Sequence, residues 1–358
     1  MRLRLPPTIF VLSLIVVAAS PAQPPAAAAA ASPAAVATEE PGLAIAAARK
    51  SFAAGRSEEA LKQLDGLKSL TPEPAGVESL RGFIYYQQRN MSSAEAAFAK
   101  AVAEDPSDHQ SMQMQGVALY SLGRPAEAIP LLEKASLAVP SANVDPNYVL
   151  GVCYIAVRRY DDARRAFAIQ YGFAPDSAPA YLLAARLLLR QENPAMAENY
   201  ARQALTLQPS IPLAHLLLGE VDLARGQLPE AIAELKQERD MNPLNGSVYD
   251  RLGDAYVRSG DDARAQAALS QAILLEPNAS GPYILLGKVM LNQQNYLLAT
   301  LYLERASSMD PGNYMTHSLL GQAYRRIGRV ADAKKEFDRA DQIQNARKAP
   351  APSLSTPQ

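Results

Sequence analysis

Small residues recur along this chain with a period of 34 residues, among apolar neighbours. Glycine or alanine occupies one phase nine times, and a single interval, between Gly116 and Gly151, is 35 residues long. This phase is Ala48, Gly82, Gly116, Gly151, Ala185, Gly219, Gly253, Gly287 and Gly321. Twelve residues later stand Ala60, Ala94, Ala128, Ala163, Ala197, Ala231, Ala265, Ala299 and Ala333. Twelve further on stand Pro72, Pro106, Pro140, Pro175, Pro209, Pro243, Pro277 and Pro311. Such a period indicates an array of small structural repeats rather than independent globular domains.

The residue types at these phases predict a pair of helices in each repeat. Glycine inside a helix costs about 1 kcal/mol relative to alanine, so its recurrence at one phase needs a reason. Helices that cross at about 8 to 10 Å need small side chains at the crossing, and we expect the glycine and the alanine to face each other there. The proline ends the second helix. Five repeats also have a glycine that ends the first helix, namely Gly55, Gly123, Gly226, Gly260 and Gly328.

The seventh repeat carries the fullest version of the pattern, with Tyr249, Gly253, Tyr256, Gly260, Ala265, Leu269, Ala272 and Pro277. This pattern resembles the tetratricopeptide repeat family over about residues 41 to 347. The resemblance implies an all-α fold, an α-α superhelix (solenoid) of about nine stacked helix-turn-helix hairpins. The first repeat departs from the family at Ala44, Ala48 and Ser51, where an aromatic residue, glycine and tyrosine are preferred.

The period also divides the chain into segments. We predict a signal peptide at 1–22, a disordered Ala/Pro-rich linker at 23–40, the array at 41–347 and a disordered tail at 348–358. The repeats span approximately 41–74, 75–108, 109–143, 144–177, 178–211, 212–245, 246–279, 280–313 and 314–347. The final helix is polar around one apolar stripe, as suits the end of a stack, whereas the first helix is apolar. That first helix suggests a partner or self-association surface, with Ala-rich degeneracy of the repeat as the alternative.

The N-terminal segment has the layout of a secretory signal peptide. Arg2 and Arg4 precede an apolar run at residues 8–19, which small residues follow. A membrane-spanning helix needs about 20 apolar residues, and Pro6 and Pro7 shorten this run to 12. We therefore predict export to the periplasm or secretion, without membrane contact beyond the leader. An uncleaved N-terminal anchor that faces the periplasm is the alternative.

Composition and charge narrow the partners. Basic residues number 35 and acidic residues 36, and no polybasic run occurs, so nucleic acid is not a predicted partner. Cys153 is the only cysteine, so no internal disulfide can form even in an oxidising compartment. It lies at a phase that other repeats fill with small apolar residues, which predicts a place in the core, with an intermolecular disulfide or reactive thiol as the alternative.

The sequence lacks the residue arrangements typical of an enzyme. His215 and His317 lie three repeats apart, which is about 30 Å at about 10 Å per stacked helix, too far for one zinc ion. His109 has no histidine or cysteine near it in sequence. Phosphate-binding loop, metalloprotease and nucleophile-elbow motifs do not occur. We therefore predict no catalysis, no metal and no cofactor.

The family resemblance implies a concave groove lined by the first helices, where the second, fifth, ninth, twelfth and thirteenth places face a bound peptide. Repeats two to four put apolar and aromatic residues there, namely Phe83, Tyr86, Gln113, Val117, Tyr120, Tyr148, Val152 and Ile155. Repeats five to nine put mainly charged and polar residues there, namely Arg186, Leu189, Arg190, Glu220, Asp250, Asp254, Arg258, Lys288, Asn292, Gln322, Arg325 and Arg326. The alternative for each residue is packing between neighbouring first helices. The lysine and asparagine with which some members clamp a C-terminal carboxylate are absent from these places.

Together these observations favour a non-catalytic scaffold of the cell envelope that binds a peptide segment or helix of a partner protein. Similar repeat proteins serve in secretion, pilus, outer-membrane or polysaccharide-export assemblies. A self-associating structural subunit, a homo-oligomer through the N-terminal repeat, is the first alternative. An enzyme or its regulatory subunit, and a cytosolic protein whose leader is not used, are more remote alternatives.

Overall fold

The computed structural model describes residues 33–70, 72–137 and 146–348, which form eighteen helices and no strand. They belong to two compact units that divide between Phe173 and Ala174. The first unit contains α1 (Pro33–Ala53), α2 (Ser57–Asp65), α3 (Val77–Gln87), α4 (Met91–Glu104), α5 (His109–Ser121), α6 (Pro125–Ser136), α7 (Pro146–Ala156) and α8 (Tyr160–Tyr171). The second contains α9 (Ala178–Arg190), α10 (Pro194–Leu207), α11 (Ala214–Arg225), α12 (Leu228–Met241), α13 (Gly246–Ser259), α14 (Asp262–Leu275), α15 (Ser280–Asn292), α16 (Tyr296–Met309), α17 (Tyr314–Arg326) and α18 (Val330–Lys348).

These helices pack as nine consecutive pairs, one pair to each repeat, which confirms the predicted all-α fold of stacked hairpins. Within each unit the second helix of one pair also contacts the first helix of the next, as α4 contacts α5 and α12 contacts α13. Neighbouring first helices touch as well, for example α5 with α7 and α13 with α15. Stacking in this way buries apolar residues that no single hairpin could bury.

The first helix begins earlier than predicted. It starts at Pro33 and contains Pro41, so residues 33–40 of the predicted linker are helical. Proline is tolerated in the first turn of a helix, and the alanine-rich segment that follows favours helix strongly. The predicted signal peptide at 1–22, the linker up to residue 32, the tail from residue 349 and the repeat residue Pro140 lie outside the described residues.

The predicted crossing of each helix pair is present, with a different partner for the glycine. A β-carbon built on each helical repeat glycine would lie closer than 3.0 Å to the bulky residue sixteen places later. These partners are Phe98, Leu132, Phe167, Leu235, Leu269, Leu303 and Phe337. The repeat alanines are buried in the same interface. Each glycine therefore makes room for a large second-helix side chain rather than facing the alanine.

Candidate functional site

The first unit exposes aromatic rings on its first helices. Tyr120 on α5 and Tyr148 on α7 have 36% and 37% of their surface exposed. Phe83 and Tyr86 on α3 and Val117 on α5 are half-buried. We name these five residues the aromatic face. All five were predicted from the sequence to line the groove.

Ring contacts with the second helices hold two members of the aromatic face in place. The ring of Phe83 meets Phe98 edge-on at 5.1 Å, and the ring of Tyr148 lies 5.9 Å from Phe167. Such contacts are worth about 0.5 to 1.5 kcal/mol, so these rings lose little freedom when a partner binds. Burial raises the pKa of the Tyr120 hydroxyl, which therefore remains a neutral hydrogen-bond donor.

Three residues predicted to line the groove are buried instead. Val152 and Ile155 each have only 8% of their surface exposed, and Gln113 has 7%. The first helices α5 and α7 pack directly against each other, and side chains at their contact are covered. These three residues therefore pack within the first unit rather than face a partner.

The first helices of the second unit carry exposed or half-buried charged and polar side chains. We name the charged face the residues Arg186, Leu189, Arg190, Glu220, Asp250, Asp254, Arg258, Lys288, Asn292, Gln322, Arg325 and Arg326. They lie on α9, α11, α13, α15 and α17, and each of these helices contacts the next one in the series. The predicted residues of repeats five to nine thus form one exposed strip within the second unit.

Each acidic residue of the charged face lies near a basic one. Arg251 on α13 donates from Nε to Oε1 of Glu220 on α11 over 2.9 Å, and another of its nitrogens lies 3.5 Å from Asp250. Arg258 approaches Asp254 to 3.7 Å. Burial raises the pKa of Asp250, although the nearby Arg251 acts in the opposite direction. The acidic charge of this face is therefore largely offset within the face itself.

Two histidines lie between paired helices, where each meets a carboxylate. Nδ1 of His215 is 2.6 Å from Oε2 of Glu234, and Nδ1 of His317 is 2.6 Å from Oε2 of Glu336. Nε2 of His317 also lies 3.0 Å from the carbonyl oxygen of Pro311. These contacts hold the first and second helices of repeats six and nine together, and sequence reasoning had missed the two glutamates.

A sequence signal for those glutamates exists. Repeats five and eight have tyrosine pairs at the same two places, nineteen residues apart: Tyr181 with Tyr200, at 5.4 Å, and Tyr283 with Tyr302, at 6.4 Å. Histidine thus occurs with glutamate and tyrosine with tyrosine, as expected for residues that touch.

A second missed feature links neighbouring repeats. The hydroxyl of Tyr154 donates to Oε1 of Glu133 over 2.5 Å, and that of Tyr324 donates to Oε1 of Glu304 over 2.6 Å. Arginine side chains cover both rings, Arg159 at 4.5 Å and Arg329 at 4.2 Å. Burial and this hydrogen bond raise the pKa of Tyr324 to about 12. These polar contacts join successive repeats away from the first-helix faces.

The chemistry available to the described residues is limited. Cys153 is fully buried, and desolvation raises the pKa of its thiol to about 12, so the reactive thiolate is scarce near neutral pH. The described residues contain no group of three or more His, Cys, Asp or Glu arranged to hold a metal ion. Within the same ranges, every helix is too short or too polar to cross a membrane.

The start of the array also exposes apolar surface. Leu43 on α1 has 70% of its surface exposed, and Ala46 and Ala47 are exposed beside it. This helix is the segment predicted to be a partner or self-association surface.

Family models match most of the repeat array. A model described as "Tetratricopeptide repeat" matches residues 45–109, 182–245 and 284–350, and a second model of that description matches 246–279. A model described as "Anaphase-promoting complex, cyclosome, subunit 3" matches 87–168.

Among curated proteins, the chain is 22% identical over 258 residues to Anaphase-promoting complex subunit 3 of Schizosaccharomyces pombe. It is 21% identical over 301 residues to Superkiller complex protein 3 of Mus musculus. These matches cover 72% and 81% of this chain but only 38% and 19% of the two relatives.

Two solved structures illustrate the similar proteins of known structure. MamA from Desulfovibrio magneticus RS-1 is 18% identical, with a TM-score of 0.44 over 49% of this chain and 98% of that one. The APC/C hetero-tetramer Cut9-Hcn1 is 19% identical, with a TM-score of 0.43 over 78% of this chain and 55% of that one. The family models together cover more than half of the residues, and their matches coincide with the helix pairs described above. The chain therefore belongs to the tetratricopeptide repeat family.

Proposed function

We propose that this chain is a non-catalytic scaffold of the cell envelope that binds a peptide segment or helix of a partner protein on its first-helix faces. Tetratricopeptide repeat proteins mediate protein–protein interactions and are generally non-catalytic. Both curated relatives are named as members of multi-protein complexes, which fits a scaffold role.

The aromatic face is the observation that carries this proposal. Exposed tyrosines supported by buried phenylalanines are unusual on a surface that serves only for folding, because aromatic side chains gain free energy when water is removed from them. Tyrosine is also enriched among the residues that contribute most to protein–protein binding. The five residues of the face lie on the helices that the family uses for peptide binding.

A triple substitution tests the aromatic face. Replacing Tyr86, Tyr120 and Tyr148 with alanine should weaken capture of partner proteins from an envelope extract by about tenfold or more. The matched control replaces Tyr171 and Phe173, which are exposed aromatic residues outside the face, and should leave capture unchanged. Circular dichroism checks that both variants keep their helicity. Undiminished capture by the triple variant would exclude the aromatic face as the binding site.

Envelope location is part of the proposal and rests on residues 1–22. Mass spectrometry of the native protein should find a first residue after Ala19 or Ala22, where small residues follow the apolar run. Retention of Met1 in a protein that stays in the cytosol would contradict export, and retention in the membrane fraction would favour the anchor.

Self-association through α1 is the second candidate, and the exposure of Leu43 favours it. Light scattering of the purified protein over a wide concentration range separates the two functions. Association that Leu43→Lys abolishes would support the structural-subunit version, and a persistent monomer would exclude it.

A further inference from the structure

We propose that the charged face binds an acidic, extended segment of the partner protein. This inference rests on the proposed function and adds the chemistry of the ligand that the second unit accepts. It concerns only residues of α9, α11, α13, α15 and α17.

The face carries an excess of basic charge that the chain as a whole does not have. Its basic residues, together with Arg251, are Arg186, Arg190, Arg251, Arg258, Lys288, Arg325 and Arg326. Its acidic residues are Glu220, Asp250 and Asp254. The formal net charge of the protein is -1, so the positive potential of this face is local. A local field of this sign attracts negatively charged partners and orients them.

Several of these basic side chains are available to a ligand. Arg186, Arg190 and Lys288 are exposed and form no ion pair within the described part of the chain. Arg325 and Arg326 lie over the rings of Phe337 and Tyr296, at 5.8 and 5.7 Å. A stacked guanidinium keeps its N–H groups free for a carboxylate.

The spacing of the cations along the face favours an extended peptide. The last turns of alternate first helices carry Arg190, Arg258 and Arg326, which occupy the same place in repeats five, seven and nine. Packed helices are about 10 Å apart, so neighbouring members of this row are about 20 Å apart. An extended chain rises about 3.3 Å per residue and covers that distance in about six residues. Acidic residues at roughly that interval could meet each arginine in turn.

The pattern is poorly suited to nucleic acid. A nucleic-acid strand carries one negative charge about every 3.4 Å of duplex axis and requires nearly continuous positive charge. Here Glu220 and Asp254 interrupt the basic residues, and they would repel a passing phosphate backbone. A peptide can place neutral residues opposite these carboxylates.

Helix electrostatics alone would also favour arginine in the last turn of a helix. The test therefore compares these arginines with equally exposed basic residues of the second helices. The full-length protein is titrated, by fluorescence anisotropy at low salt, against a labelled peptide of about eighteen residues with the repeat Glu-Ser-Gly. The same peptide with glutamine in place of glutamate, and an oligothymidine of equal charge, serve as comparison probes.

We expect the glutamate peptide to bind and the glutamine peptide not to bind. The triple variant Arg190→Gln, Arg258→Gln, Arg326→Gln should weaken the glutamate peptide about tenfold, and lysine at the same three places should restore most of the affinity. The control variant Arg305→Gln, Lys335→Gln, Arg339→Gln removes equal charge from exposed places on α16 and α18 and should change the affinity less than about twofold.

Three outcomes would overturn the inference: no binding of the glutamate peptide, equal weakening by the two triple variants, or tighter binding of oligothymidine than of the peptide. None of these outcomes bears on the aromatic face, whose tyrosine variant tests the proposed function separately. Loss of capture by the tyrosine variant together with failure of the peptide titration would leave the scaffold proposal standing and remove only the acidic ligand.

Discussion

Four repeats turn from their first helix to their second through a side chain in a backbone conformation that favours glycine. Arg89, Arg158, Glu192 and Gln294 have φ angles of 57 to 63°. The other five repeats have glycine at this place, with φ angles of 75 to 81°. A β-carbon in the left-handed region costs about 1 to 2 kcal/mol, so each of the four residues stores strain in an otherwise regular turn.

Exchanging residues at this place in two repeats should change stability in opposite directions. Gln294→Gly should raise the free energy of unfolding by about 0.5 kcal/mol, because relief of strain exceeds the added entropy of the unfolded chain. Gly260→Ala should lower it by about 1 kcal/mol. A β-carbon at Gly260 meets no atom within 4 Å, so backbone strain is the only cost. Urea denaturation measures both changes, and a shift of the same sign in both variants would contradict this explanation.

Within a helix pair, the sizes of two residues are matched across the crossing. In the seventh repeat Gly253 leaves space for Leu269, and both are buried. In the fifth repeat the corresponding residues are Ala185 and Ala201, which are also buried. A larger residue on the first helix is thus accompanied by a smaller one on the second. Close packing requires this compensation, because a core has little room for an extra methyl group.

A double-mutant cycle on α13 and α14 tests that match. Gly253→Ala should destabilise the protein by about 1 to 3 kcal/mol, since its β-carbon would overlap Leu269. Leu269→Ala should cost about 2 to 5 kcal/mol through the cavity it leaves. The double variant reproduces the residue pair of the fifth repeat, so its cost should fall below the sum by at least about 1 kcal/mol. Strict additivity of the two costs would show that the residues do not share one packing site.

At the scale of the whole chain, the 34-residue period was sufficient to predict the helix pairs, because spacing alone places the glycines, alanines and prolines. Local periodicity does not predict which first-helix residues stay exposed. Val117 and Val152 occupy the same place in successive repeats, yet Val117 is half-buried and Val152 is buried. Their exposure depends on how closely neighbouring first helices approach, which is a property of the stack.

Polar contacts between helices were also beyond reach of single positions. Glu336 looks like one more charge on the polar final helix until His317 is placed nineteen residues before it. Tyr324 matches the aromatic place of the family whether or not Glu304 accepts its hydrogen bond. Comparing pairs of places across the repeats, instead of single places, would have identified the His–Glu pairs.

The packing of the second unit predicts how damage should spread through it. Each described helix contacts only helices one or two places away in chain order. Stability in such a stack is a sum of repeat and nearest-neighbour contributions, so a local defect should stay local. Leu303→Ala on α16 removes a fully buried side chain and should cost about 2 to 5 kcal/mol. Hydrogen exchange should then accelerate by about 30-fold or more in α15 to α18, less in α13 and α14, and hardly at all in α9 and α10. The control Leu274→Ala, at a leucine with 73% of its surface exposed, should leave exchange unchanged throughout. Equal acceleration in every helix of the unit would mean that its five repeats unfold as one cooperative body, and that stabilisation of one face by a bound partner would extend to all of them.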